Sequence, residues 1–312
     1  MPEHSDTLPT KNILVVSYSQ TGQLQQMVEH LTRPLQQDHT LTVETCALRP
    51  HPPFAFPWRF MRFFDTFPET VHLQAMPLGE LDLKRERYDL IIIAYTVWFL
   101  SPSRPISSFF SQPQARAVLE NTPVITLIGC RNMWLMAQEK MKKLLADARA
   151  NLIGNIVKTD ECGSAASFIA TPLWMLTGKK KAASWLPEAG VSRADITDCE
   201  RFGVKIRDAL QENQALNERL LQNMGAVYVN EKLILSETVA HRSFYLWGKL
   251  LMAAGRVAPW LRRAMLWFYI AFLITMILTV LPVSVVLKTL FSPLLKNTIR
   301  RQKAYFAQPS GE

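Results

Sequence analysis

Lys11-Asn12-Ile13-Leu14-Val15-Val16-Ser17, followed at once by Tyr18-Ser19-Gln20-Thr21-Gly22-Gln23-Leu24, decides how the rest of this 312-residue chain is read. Four consecutive apolar residues, three of them β-branched, are too few for a helix and suit a strand buried on both faces. After Gly22 the period changes. Leu24, Met27, Val28 and Leu31 recur at helical spacing through about Gln36, so a strand hands over to a helix across one short hydroxyl- and glycine-bearing loop.

The same alternation continues outward. Thr40–Leu48, Tyr88–Tyr95, Thr122–Ile128 and Asn151–Thr159 read as further strands. Trp134–Ala148 reads as a helix whose outer face carries Lys140, Lys142 and Lys143, and Asp195–Leu221 as a long amphipathic helix closing the sheet. Strands alternating with helices predict an α/β fold, a doubly wound five-stranded parallel sheet. In such a sheet ligands sit at the carboxyl ends of the strands, which directs attention to the loops after Ser17, Tyr95 and Ile128.

Composition narrows the class. With 48% apolar and 20% charged residues the chain is neither a disordered tail nor a fibre. Cys46, Cys130, Cys162 and Cys199 are scattered, with no metal-ligand spacing, so reduced thiols and no metal site are expected. The polar stretch 1–10 holds Glu3 and Asp6 and does not read as a signal peptide. Residues 11–222 form the expected main domain, interrupted at 49–77 by an insertion with seven aromatics, read as a satellite cluster or a lid over an apolar substrate.

Residues 223–312 change character. The net charge of +9 divides into +2 over residues 1–210 and +7 over 211–312, and no acidic residue falls between Thr238 and Gly311. Ser243–Leu261 reads as an amphipathic helix at a membrane interface. Ala264–Leu287 is 24 residues without a charge, about 36 Å as a helix against a hydrocarbon core of about 30 Å. The basic tail beyond Lys288 opposes a simple span, and Pro282 favours a re-entrant arrangement on an anionic leaflet. The basic excess coincides with the apolar segment, not a polar groove, so nucleic acid is not an expected partner.

The first loop resembles the phosphate loop of the flavodoxin-like superfamily, Ser/Thr-x-Thr-Gly-x-Thr, in Ser19, Gln20, Thr21, Gly22 and Gln23, with Leu24 in place of the last threonine. The superfamily's second flavin loop is matched by Thr96, Val97, Trp98 and Phe99, and its third by Gly129, Cys130 and Arg131. The resemblance covers roughly residues 11–210. It implies FMN as cofactor, with the first loop on the phosphate, Trp98 or Phe99 on the flavin face, and Arg131 near the pyrimidine or a substrate oxygen. Cys130 reads as a spectator thiol, because none of the six histidines stands near it to act as a base. No general acid or base is assigned.

A narrower resemblance lies in Phe54–Trp58, Phe63–Glu69, Gly129–Trp134 and Thr171–Lys180, which are similar to the dialkylresorcinol condensing enzymes of bacterial resorcinol-lipid and aryl-polyene pathways. It implies a flavin step beside a partner ketosynthase: aromatising a dialkyl cyclohexanedione at the cytoplasmic membrane, with the main domain on the cytoplasmic side. Two alternatives stand beside it. One is a quinone or protoporphyrinogen-type flavin reductase, the other a flavin-free membrane scaffold for a ketosynthase.

Overall fold

The computed structural model describes residues 10–160, 164–181 and 183–311, with side chains throughout except at 164–169 and 280–295. Residues 1–9 of the polar tail lie outside the described residues. The strands are β1 (Lys11–Ser17), β2 (Leu41–Ala47), β3 (Leu90–Trp98), the two-residue β4 (Ser101–Pro102), β5 (Pro123–Cys130) and β6 (Asn151–Thr159). The helices are α1 (Gln23–Gln36), α2 (Phe60–Asp65), α3 (Phe67–Val71), α4 (Arg104–Phe109), α5 (Pro113–Leu119), α6 (Leu135–Asp147), α7 (Ser164–Thr177), α8 (Arg193–Gln211), α9 (Glu231–Val257) and α10 (Pro259–Ala307).

The sheet order is β2-β1-β3-β5-β6, all parallel, with β4 folded back antiparallel on the end of β3. Counting only the parallel strands, this is the 2-1-3-4-5 order of the flavodoxin-like doubly wound fold. Strand alternation divides the core. Ile13, Val15, Ile92 and Leu127 face α1 and α8, while Leu14, Val16, Ile93 and Ile128 face α4, α5 and α6. The closest helix packing is at Gly203 of α8, where a Cβ would stand 2.0 Å from the Leu31 carbonyl oxygen of α1. Gly203→Ala is therefore expected to force the two helices apart and destabilise the fold by about 1–3 kcal/mol. Thermal unfolding checks this, and an unchanged midpoint would refute the tight contact.

Several sequence expectations are corrected. The helix expected over Asp195–Leu221 starts earlier, where the Ser192 hydroxyl caps the Asp195 amide (3.1 Å), and stops at Gln211. Beyond it Asn213 turns left-handed (φ 50°), and the chain doubles back until the Ala226 carbonyl accepts the Val157 amide at 2.8 Å. The helix expected at Ser243–Leu261 runs from Glu231 to Val257 and ends before Pro259, which disfavours a helical residue ahead of it. Lys140 is not on an outer face. Its ammonium donates to the Val71 carbonyl and the Ser101 hydroxyl, both at 2.7 Å, and burial pulls its pKa down to about 8.

The C-terminal segment is continuous with the core. Val227, Val229, Ile234, Phe306 and Ala307 are buried with the sheet, and the Ser310 hydroxyl donates to the Asn155 carbonyl at 2.8 Å. Helix α10 outruns the expected apolar stretch at both ends. Pro259–Thr279 is long and apolar enough to cross a membrane, with mean hydropathy 1.7. At its start Arg262 binds Asp65 (2.8 Å) and Glu69 (2.6 Å). Near its end Lys303 pairs with Glu231 (3.3 Å) and the Tyr305 hydroxyl donates to Glu139 (2.7 Å). Arg262 and Lys303 would lie about 62 Å apart along a straight helix. Yet α3 lies against Gly248 and Leu251 of α9, only about 26–30 Å along α9 from Glu231. Both ends of α10 thus return to one domain, and the helical run is not straight.

Candidate functional site

The carboxyl edge of the sheet brings the first loop beside the loop after β3. Gly22 holds φ 80°, which lets β1 turn directly into α1, and a Cβ there would meet nothing within 4 Å. The amino end of α1 has no side-chain cap and no acidic residue in its first turn. The Thr21 and Ser19 hydroxyls reach the Gln23 and Gln25 amides only at 3.4 Å. By contrast Ser192 caps α8 and Asn230 caps α9. Weakly satisfied amides and a positive dipole end are features that suit an anion. The Gln23 side chain takes no part. It faces inward, donating to the Val191 carbonyl (2.9 Å) and accepting from its amide (3.0 Å), which leaves only its backbone N–H for a ligand.

Insertion residues roof this edge. The Gln20 side chain donates to the Ala55 carbonyl and accepts from the Trp58 indole, both at 2.9 Å, latching the strap 54–58 to the first loop. Trp98 stands edge-on to Tyr18 (6.0 Å), Phe54 (5.0 Å) and Trp58 (5.4 Å) and is 8% exposed. The insertion is thus a structured arm, with α2 and α3 packed against the start of α10 and α9: Phe67 stacks on Tyr269 at 4.6 Å.

The remaining expected site residues are placed differently from a simple loop. Val97 and Trp98 belong to β3 and pair with Pro102 and Ser101, so the turn after β3 is Phe99–Leu100, both left-handed (φ 49° and 56°). The Thr96 carbonyl accepts the Ser103 amide (3.0 Å), and Phe99 packs on Phe63 and Phe67, joined to Trp98's cluster only through the Phe63–Trp58 contact at 5.6 Å. Gly129 and Cys130 fall inside β5, not after it. Gly129 is where α1 approaches: a Cβ would meet the Met27 sulfur at 3.0 Å. Burial pushes the Cys130 thiol pKa well up, which keeps it protonated and inert. Arg131 follows β5; burial lowers its pKa while the neighbouring Asp160 opposes the shift. Asp160 is itself fixed by the Thr171 hydroxyl (3.2 Å) and the Gly190 amide (3.0 Å).

Sequence reasoning missed Glu237. It lies on α9, fully buried, and its Oε1 accepts the Met136 amide (2.8 Å) at the amino end of α6, while Oε2 finds no hydrogen-bond partner among the described residues. Desolvation pushes its pKa up to about 8, and it faces Cys130 and Tyr95. No sequence signal marks it, since Ser236-Glu237-Thr238 reads as ordinary helix surface. Among the described residues no His, Cys, Asp or Glu cluster could hold a metal ion.

No protein-family model matches the chain, and no curated protein matches it. Among solved structures it is similar to a flavoprotein in complex with FMN from Lactobacillus acidophilus NCFM: 17% identity, 47% of this chain and 93% of that one, TM-score 0.38. A flavodoxin from the domain Archaea is 10% identical over 65% of this chain and 99% of its own, TM-score 0.35. Oxidised Flavodoxin 1 from Bacillus cereus is 12% identical over 62% of this chain and 95% of its own, TM-score 0.33. Such scores add nothing to what the strand order already establishes.

Proposed function

We propose that this chain is an FMN-dependent oxidoreductase held at a membrane and acting on a lipidic ring. The observation that carries the reading is the open amino end of α1, reached through left-handed Gly22 at the carboxyl edge of a flavodoxin-order sheet. The phosphate fits there: Ser19, Gln20, Thr21, Gly22 and Gln23 would hold it through hydroxyls and backbone amides. At the other end Trp98, with Thr96, Val97 and Phe99 beside it, supplies a flat aromatic partner once the strap 54–58 swings aside. Arg131, on the loop after Gly129 and Cys130, offers a cation for the flavin or a substrate oxygen. FMN is also the flavin bound in the Lactobacillus flavoprotein.

Bound there, FMN would supply a two-electron acceptor, taking a hydride from the ring while the accompanying proton leaves to water. In the narrower form of the reading the ring is a dialkyl cyclohexanedione made by a partner ketosynthase, and loss of two hydrogens gives the resorcinol. The apolar start of α10, its exposed Trp260 and Trp267, and the returning basic tail support docking on an anionic cytoplasmic leaflet. The aromatic arm would shield the ring from water.

A second reading, a flavin-free scaffold for a ketosynthase, is favoured by one observation: the strap covers Trp98 and is latched through Gln20. An absorption spectrum of the full chain in mild detergent, between about 350 and 500 nm with and without added FMN, separates them. Twin flavin bands are expected. A colourless protein that takes up no FMN overturns the redox reading in favour of the scaffold.

A further inference from the structure

A cleft of about 710 Å³ opens between the arm and the first turns of α10, a size that suits a small organic ligand. Arg62, Arg104, Arg262 and Arg263 line it against two carboxylates, Asp65 and Glu69. Both carboxylates are engaged by one guanidinium: Arg262 Nε bonds Asp65 at 2.8 Å, and its terminal nitrogens bond Glu69 at 2.6 and 2.9 Å. The wall therefore carries two positive charges more than it neutralises. Arg104 is the most constrained of the rest, its hydrogen bonds going to the Gln74 (3.0 Å) and Ala75 (3.4 Å) carbonyls, which are neutral acceptors. A partly desolvated guanidinium held by carbonyls gains most from an oxyanion.

Apart from Thr66 and Gln74 the rest of the wall is apolar, including Phe54, Met61, Met76 and Leu266. Its position adds a direction. Pro259, Arg262, Arg263 and Leu266 belong to the start of the one described helix both long and apolar enough to cross a membrane, and exposed Trp260, Trp267 and Phe60 stand close by, as aromatics do at a bilayer surface. Cationic head, apolar wall and membrane-level mouth together define an amphipath with a negative head.

We propose that this cleft seats a single-chain anionic amphipath, an oxyanion on one alkyl tail. Phe54 forms the partition: it lines the cleft and stands 5.0 Å from Trp98 on its far side. The proposal goes beyond the redox reading and does not rest on it: its ligand has one tail, whereas the ring of that reading carries two alkyl chains, so the cleft is a second site beside the edge that Trp98 lines. The head group docks on Arg104 and Arg263, and the tail lies along Met61 and Leu266 toward the lipid.

Native mass spectrometry of the full chain released from neutral detergent tests it, with dodecyl phosphate as probe. One adduct per chain is expected. Arg104→Gln and Arg263→Gln should each weaken it about tenfold or more, as loss of a charge-assisted hydrogen bond does. Met61→Trp, which fills the cleft without touching charge, should weaken it too, and keeps the test decisive if Arg104→Gln fails to fold. The paired control Arg242→Gln and Lys249→Gln, on α9 and outside the cleft, should change nothing. Equal losses in control and cleft variants would overturn the proposal, as would inorganic phosphate binding as well as the alkyl phosphate. Preferential retention of phosphatidylglycerol, removed by Arg104→Gln, would overturn the single-chain assignment in favour of a bilayer lipid. FMN uptake is measured on the same preparations: FMN without amphipath overturns the cleft proposal alone, and amphipath without FMN overturns the redox reading alone.

Discussion

Thr21→Glu should abolish FMN uptake while leaving the fold intact or slightly firmer. The substitution sets a carboxylate at the amino end of α1, where the backbone amides await an anion and the first turn holds no acid of its own. A glutamate there complements the helix dipole, worth about 0.3–1 kcal/mol to the folded protein. The same charge meets the phosphate at contact range, where like charges near a protein surface repel by about 4 kcal/mol at 4 Å. Affinity for FMN should fall by more than about 100-fold. Flavin fluorescence titration measures the loss and a thermal melt measures the gain. Wild-type uptake by the variant would remove the first loop from the site.

Glu237→Gln should flatten the pH dependence of stability between about pH 5 and 8 and stabilise the protein above pH 8. The folded-state pKa of Glu237 is raised from its ordinary 4.5 to about 8 by burial. Below 4.5 both folded and unfolded chains carry the proton, and nothing is lost. Between 4.5 and 8 the unfolded chain releases the proton while the folded one keeps it, so stability falls as pH rises, then levels off above 8. At about 1.4 kcal/mol per pH unit the whole effect is several kcal/mol in order of magnitude. Glutamine cannot ionise, and its carbonyl still accepts the Met136 amide that Glu237 accepts at 2.8 Å. Glu237→Ala cannot ionise either and should flatten the profile in the same way, but it strands the amino end of α6 and should lie about 1–3 kcal/mol below the glutamine variant at every pH. Urea unfolding at three pH values checks both, and a glutamine variant with the wild-type pH profile would refute the assignment.

The strands were legible because parallel interior strands write themselves as apolar runs. Lys11–Ser17 and Asn151–Thr159 stand where the sequence puts them, and the left-handed Gly22 was marked by its place between a strand and a helical period. What escaped was tertiary in origin. Helix α8 ends at Gln211 although its polar pattern continues, because the chain must return for Ala226 to pair with Val157. Lys140 looked like surface until α3 and β4 supplied acceptors for its ammonium. The aromatic arm was visible as composition, but not that Trp58 would close on Gln20 or that Arg104 would share a cleft with Arg262. Glu237 was invisible, since its burial depends on α9 crossing the amino end of α6.

The return of α10 has a mechanical consequence. A domain on one membrane stalk swivels, and its openings sweep every bearing relative to the lipid. This one is pinned twice, by Arg262 on α2 and α3 and by Lys303, Tyr305 and Ser310 on α9, α6 and β6. Two anchors some tens of ångströms apart remove rotation of the domain relative to the helix, and in the proposed membrane setting they would hold one edge of the domain flush with the bilayer. In that setting the arm, placed between the first anchor and the sheet edge, would keep a constant heading toward the lipid, and a molecule leaving the bilayer would meet the same threshold at every encounter.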